Sequence, residues 1–224
     1  MKFKVVSGLG LICLLTLSMF CCIMTCLASQ PANGAITGDK PSYEDNFSTS
    51  KNSFFGSYSD DISSNYFENG KYRIEVFPMN SSSAYFARTM PTNFTLEVEA
   101  TQVSGPNDNG YGVIFESENW KNYYYFLISS DGYYRIARLI NNIWLVESMN
   151  NWNKSDVILT GNATNLINIT CNKGNFSFCV NDQYVGGFND EYSDPKMIGL
   201  MAETENTPGT VIIDFDNLKV WGYF

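Results

Sequence analysis

Apolar and polar residues alternate with a period of two along most of the chain from Tyr72 onward, and no stretch shows convincing helical periodicity. The clearest case is FTLEVEAT, where Phe94, Leu96, Val98 and Ala100 face one way and Thr95, Glu97, Glu99 and Thr101 the other. That strand has one wet face. The same reading predicts strands over 72–77, 94–101, 111–116, 123–129, 133–139, 143–147, 166–171, 176–181, 198–202, 211–215 and 218–221, with turn residues between them. Strands at this spacing predict an all-β domain, a two-sheet antiparallel β-sandwich of jelly-roll type.

One segment departs from simple alternation. In NYYYFLISSDGYYRI, residues 122–136, Tyr124, Phe126 and Ile128 pair with Tyr134 and Ile136 across a turn at Asp131-Gly132. That leaves Tyr123, Tyr125, Leu127, Tyr133 and Arg135 on the second face, which is therefore aromatic too. In LINITCNKGNFSFCVN the apolar sets Ile167, Ile169, Cys171 and Phe176, Phe178, Val180 must share the buried face, so Cys179 lies on the opposite one. Cys171 and Cys179 then cannot reach each other, and two free thiols are expected.

Ahead of this pattern the composition changes. Lys2 and Lys4 precede an apolar run from Val5 to Leu27, and Cys26-Leu27-Ala28 supplies small residues near a cleavage point. Residues 1–28 therefore read as a secretory signal peptide. The alternatives are an uncleaved membrane anchor, the one route by which the chain would hold a membrane, and a lipoprotein using Cys21, Cys22 or Cys26. Residues 29–42 are small, polar and punctuated by Pro and Gly, as in a flexible leader, and residues 43–224 form the sandwich domain.

Charge narrows the partners. The chain has 14 basic and 23 acidic residues; loss of Lys2 and Lys4 leaves 12 against 23, a net charge of −11. A nucleic-acid partner is excluded, because phosphate binding needs a basic face. Secretion or surface display fits the Asn-x-Ser/Thr sequons at Asn46, Asn80, Asn93, Asn153, Asn162, Asn168 and Asn175, which would make the product a glycoprotein.

The succession Asp45-Asn46-Phe47, Glu68-Asn69-Gly70-Lys71-Tyr72-Arg73-Ile74, Asn109-Gly110-Tyr111-Gly112-Val113-Ile114-Phe115, Tyr124-Tyr125-Phe126-Leu127-Ile128-Ser129 with Asp131-Gly132, Val180-Asn181-Asp182 and Phe215-Asp216-Asn217-Leu218 resembles the concanavalin A-like lectin/glucanase superfamily. Within it the likeness is to prokaryotic extracellular domains related to laminin-G-like modules and to the 3-keto-disaccharide hydrolase domain. It runs over residues 45–221. The resemblance implies two curved antiparallel sheets with ligand on the concave face or held by rim loops. It implies no single function, since lectins, glycosidases and structural modules share the fold. One departure is Asn181-Asp182, where Asn-Gly is usual.

The chain has no histidine, which excludes His-based triads, His general bases and His-rich zinc sites. The Glu-x-Asp-x-x-Glu run of laminarinase-type glycosidases, which the resemblance would imply for an enzyme, is absent. Glu97 and Glu99 are the alternative catalytic carboxylates, about 6 to 7 Å apart along one strand face, although alternating Glu on the solvated face of an antiparallel strand is the plainer reading. The candidate ligand-binding set is Glu116, Trp120, Tyr123, Tyr125, Tyr133, Arg135 and Arg138, in which a carboxylate and one of the two arginines would hold sugar hydroxyls while rings stack on the C–H face. A cross-strand ion pair would use the same charges. Trp120 and Trp152 sit in polar loops, where aromatics mark recognition, whereas Trp144 reads as a cap and Trp221 as buried. No cofactor is expected; calcium is a candidate, at Asp45 and Asp216 if the terminal strands meet.

The sequence thus predicts a secreted or surface-exposed, non-catalytic module that binds polysaccharide or glycan through an aromatic sheet face. The rivals are a carboxylate-dependent glycoside hydrolase and a structural envelope protein whose aromatic face packs against another subunit.

Overall fold

The computed structural model describes residues 40–85, 91–116, 123–140, 143–144, 151–190, 197–204 and 208–222. The predicted signal peptide, most of the leader, Trp120 and most of the 143–147 segment lie outside them. The described residues are all-β, with strands β1 (Tyr43–Asp45), β2 (Tyr58–Ser59), β3 (Ser63–Glu68), β4 (Lys71–Val76), β5 (Ser81–Tyr85), β6 (Phe94–Ser104), β7 (Gly110–Glu116) and β8 (Tyr123–Ser129). The series continues with β9 (Tyr133–Ile140), β10 (Ile143–Trp144), β11 (Asn153–Lys154), β12 (Thr164–Asn172), β13 (Asn175–Val180), β14 (Gln183–Asn189), β15 (Met197–Glu203) and β16 (Val211–Trp221).

Two antiparallel sheets face each other. A nine-stranded sheet has the order β14-β13-β12-β6-β16-β4-β3-β2 with β1 also on β16; a seven-stranded sheet runs β10-β9-β8-β7-β15-β5 with β11 also on β9. Their inner faces supply one core. Phe94, Leu96, Val98, Ile167, Ile169, Phe178, Ile213 and Phe215 from the larger sheet meet Tyr111, Val113, Phe115, Phe126, Ile128 and Leu200 from the smaller, all essentially without solvent contact. This is the jelly-roll sandwich that the alternation predicts, because a strand with one apolar face is stable only against a second apolar face.

Several local expectations were resolved. The segments 211–215 and 218–221 form one strand, β16, which shifts register between Asp216 and Lys219. Asn217 sits at φ 51° in that bulge, and the extra residue lets Phe215 and Leu218 both face the core. The Asn181-Asp182 turn works without glycine, since both residues adopt positive φ (50° and 63°), the conformation a two-residue hairpin requires. Strands β1, β3, β5 and β14 were not legible, being rich in Ser, Asn, Gly or acidic residues that carry little alternation.

Strand parity separates the two hairpin cysteines as expected, but they are not both free thiols. Cys171 pairs with Phe176 in the buried set, while Cys179 pairs with Asn168 on the other parity. Cys171 is free and buried. Cys179, expected free, is disulfide-bonded. Parity excluded a bond between the two hairpin cysteines; it carried no information about thiols elsewhere in the chain.

Candidate functional site

The site is organised by the β8–β9 hairpin. Gly132, at φ 95°, allows the tight reversal, and Gly132 N–H donates to the Ser129 carbonyl (3.0 Å). Ser129 Oγ then accepts from Tyr133 N–H (3.2 Å) and donates to Asp131 Oδ1 (2.5 Å). This turn fixes the pairs Tyr123 with Leu139, Tyr125 with Ala137, Leu127 with Arg135 and Ile128 with Tyr134. Tyr124, Phe126, Ile128 and Ile136 enter the main core, and Tyr125, Leu127 and Arg135 lie on the face away from it.

That second face is not bare. Ile114, Tyr125, Leu127, Ala137 and Met201 form their own buried cluster, against which Tyr123 and Trp152 pack. Strand β11 positions Trp152: Asn153 and Lys154 pair with Tyr134 and Tyr133, and Ser155 N–H donates to the Gly132 carbonyl (2.9 Å). The indole is thereby held over Arg135. The guanidinium lies 5.1 Å from the Tyr125 ring centre and 4.8 Å from that of Trp152, a cation between two ring faces. Tyr123 and Tyr125 stack at 6.5 Å, and Lys154 Nζ lies 5.7 Å from the centre of the Tyr133 ring.

Arg135 is charge-paired with Glu203, the last residue of β15: Nη2 donates to Oε1 at 2.5 Å, with only 12% and 11% of the two side chains exposed. Burying either charge alone would cost several kcal/mol, so each group is a condition for the other. Gly110 makes the room. A Cβ there would fall 2.7 Å from Glu203 Oε1 and 3.0 Å from Leu127 Cδ1.

The predicted ligand set divides on this geometry. Tyr123, Tyr125, Tyr133 and Arg135 belong to the β8–β9 part of the seven-stranded sheet. Glu116 pairs with Tyr123 and with Met197, at the end of β7 away from Gly110. Trp120 lies outside the described residues. Arg138 does not join the set: three residues beyond Arg135 it has the opposite parity, stands opposite Tyr124, and bonds Asp190 Oδ2 (3.1 Å), which also accepts from Tyr124 Oη (2.6 Å). Glu203 was missed by the sequence reading, because its partner Arg135 is 68 residues away and only the β15–β7–β8–β9 order brings them together. The signal available was parity: Ile198, Leu200 and Ala202 face the core, so Glu203 must face away.

The alternative carboxylates lie on the other sheet. Glu97 accepts from Asn168 Nδ2 (3.0 Å) and Glu99 from Asn217 Nδ2 (3.1 Å), both half-buried on the outer face of β6. Trp221, read as buried, is half-buried on this same outer face, opposite Thr95. The terminal strands do meet, with Asp45 opposite Leu218. Both metal candidates are engaged, however: Asp45 accepts from Phe47 N–H (2.8 Å) and Tyr43 Oη (2.8 Å), while Asp216 pairs with Lys71 and accepts from Asn217 N–H (2.8 Å). Among the described residues no three acidic or thiol side chains gather as metal ligands.

No sequence family and no characterised protein matches the chain. Solved structures do. Carbohydrate binding module CBM66 from Bacillus subtilis superposes with a TM-score of 0.57 at 13% identity, over 76% of this chain and 96% of that one. The shared fold is a two-sheet antiparallel jelly roll. SCLam, a non-specific endo-β-1,3(4)-glucanase of family GH16, matches with a TM-score of 0.60 at 11% identity over 84% of this chain and 92% of its own. A Bacillus licheniformis β-glucanase gives 0.64 at 8% identity over 83% and 100%. At these identities the likeness is one of jelly-roll architecture.

Proposed function

We propose that this jelly roll is a secreted or surface-exposed, non-catalytic module that binds polysaccharide or glycan on the outer face of its seven-stranded sheet. The observation that carries the reading is Arg135, held between Tyr125 and Trp152 and bonded to Glu203. Sugar recognition needs ring faces for C–H surfaces and fixed bidentate groups for vicinal hydroxyls. Here both are pre-ordered by internal contacts, so less side-chain freedom is lost on binding. Trp152, Tyr123 and Tyr133 are only half-buried and form the accessible edge. The carbohydrate-binding module and the glucanases among the structural matches make a carbohydrate ligand the natural first class to test.

Carboxylate spacing favours binding over hydrolysis. By register Glu203 stands beside Gly110, six residues along β7 from Glu116. At about 3.4 Å per residue that separation is roughly 20 Å, well beyond the spacing of a glycosidase pair. Glu97 and Glu99 occupy the opposite sheet and are bonded to asparagine amides.

The test is migration of the protein through gels containing mixed-linkage β-glucan, xylan or mucin, with and without chelator. Retardation that Trp152→Ala or Tyr123→Ala removes supports the module. Retardation by none of these, together with self-association through the aromatic face in sedimentation, would favour the structural alternative. Release of sugars, lost in Glu203→Gln, would favour the hydrolase.

A further inference from the structure

On the nine-stranded sheet, four residues from four adjacent strands stand side by side on the outer face: Asn168 opposite Glu97, Glu97 opposite Lys219, and Lys219 opposite Glu44. Strands in a sheet are about 4.8 Å apart, so this row is roughly 14 Å long. The next row, two residues along, carries Thr170, Thr95 and the half-buried Trp221. At the Glu44 end the row opens into a pocket of about 420 Å³ walled by Glu44, Asn46, Ser48, Asn52, Asn217 and Lys219, among others.

The pocket wall is held in place. Phe47 is fully buried against Phe55, Phe67 and Tyr72, and its N–H is bonded by Asp45, so the loop after β1 is pinned at its start. Ser48 N–H and Oγ both donate to Asn46 Oδ1 (3.2 and 2.8 Å). Asn217 is fixed by its bond to Glu99. By contrast, the side chains of Glu44, Asn52 and Lys219 make no hydrogen bond or ion pair among the described residues, although Lys219 stands between two carboxylates in register. A rigid pocket thus presents a free ammonium, amide and carboxylate, and Glu97 adds a second carboxylate oriented by Asn168.

We infer that this row and pocket form a second carbohydrate subsite, independent of the Arg135 site, which takes the hydroxyl groups of a neutral sugar chain. The charge pattern selects the ligand class. Glu44, Asp45 and Glu97 oppose an anionic sugar or phosphate at Lys219. The Lys219 ammonium opposes a metal cation, and Asp45 is already committed to Tyr43 and Phe47. Neutral vicinal diols satisfy both signs at once, donating to the carboxylates while accepting from the ammonium and amide. Trp221, two residues from Lys219 on the same face, offers a ring to the next unit of the chain.

The test is an amide and indole chemical-shift titration of the full chain with oligosaccharides of mixed-linkage β-glucan and of xylan, repeated in Lys219→Ala, Asn52→Ala, Trp221→Ala and Trp152→Ala. The inference expects saturable shifts at Glu44, Asn52, Lys219 and the Trp221 indole, unchanged by Trp152→Ala and weakened at least about tenfold by Lys219→Ala or Asn52→Ala. The last two are pocket-wall changes that leave the core intact, so the test does not depend on Trp221→Ala folding. Shifts confined to Tyr123, Arg135 and Trp152 would overturn this subsite and leave the first. Shifts confined to the Lys219 pocket would support it and overturn the first. Shifts at neither would overturn both.

Discussion

Arg135 and Glu203, 68 positions apart in sequence, meet at 2.5 Å on the face of the seven-stranded sheet that points away from the core. The pair sits at the centre of an aromatic cluster built from β8, β9 and the chain before β11. A sandwich has only one face per sheet to give to its core; this one has furnished the other with a small ordered cluster of its own.

Gly110 is the condition for that pair. Gly110→Ala places a methyl 2.7 Å from Glu203 Oε1 and 3.0 Å from Leu127. We expect a loss of about 1–3 kcal/mol by overpacking, read as a lower urea midpoint with unchanged slope. A variant as stable as the parent would mean that Glu203 is free to move aside.

Asp190 closes the edge of the core, since Tyr124 Oη and Arg138 both bond its Oδ2. Asp190→Ala should destabilise by about 1–3 kcal/mol, because it leaves a phenol and a guanidinium short of a partner. If instead Asp190→Ala abolished polysaccharide binding at full stability, Arg138 would belong to the ligand site after all.

Alkaline pH should weaken the fold. Burial raises the Cys171 thiol from its ordinary value of 9.0 to about 11, and burial also raises Tyr72 and Tyr111. The unfolded chain therefore loses these protons first. Their contribution to stability is complete below about pH 9 and declines as pH rises through the folded values. Urea midpoints at pH 8, 9.5 and 10.5 should fall in that order, less steeply in Cys171→Ala, and a flat profile would contradict the burial. The same protected thiol should resist alkylation at pH 8 until the protein unfolds.

The sequence was most legible where one strand face is buried. The alternation in 94–101 and 123–136 placed nearly every side chain on its observed face, including Arg135 and Tyr125, because a one-residue slip would have exposed the whole apolar set. Which strands lie side by side was not legible. Glu203 meets Arg135, and Lys219 stands between Glu97 and Glu44, only because β15 joins β7 and β16 lies between β6 and β1. Arg138 was legible by the same rule: three residues from Arg135 it falls on the opposite face of β9, and the register places it opposite Tyr124.

The Arg135 site can be probed by affinity electrophoresis of the protein and its Trp152→Ala variant in mixed-linkage β-glucan, xylan and mucin gels, with both folds checked by circular dichroism. The parent should be retarded by at least one polysaccharide, and Trp152→Ala should lose about tenfold or more in affinity at unchanged fold. Retardation of the variant equal to that of the parent, or no retardation of either, would contradict a binding site built on Arg135, Tyr125 and Trp152.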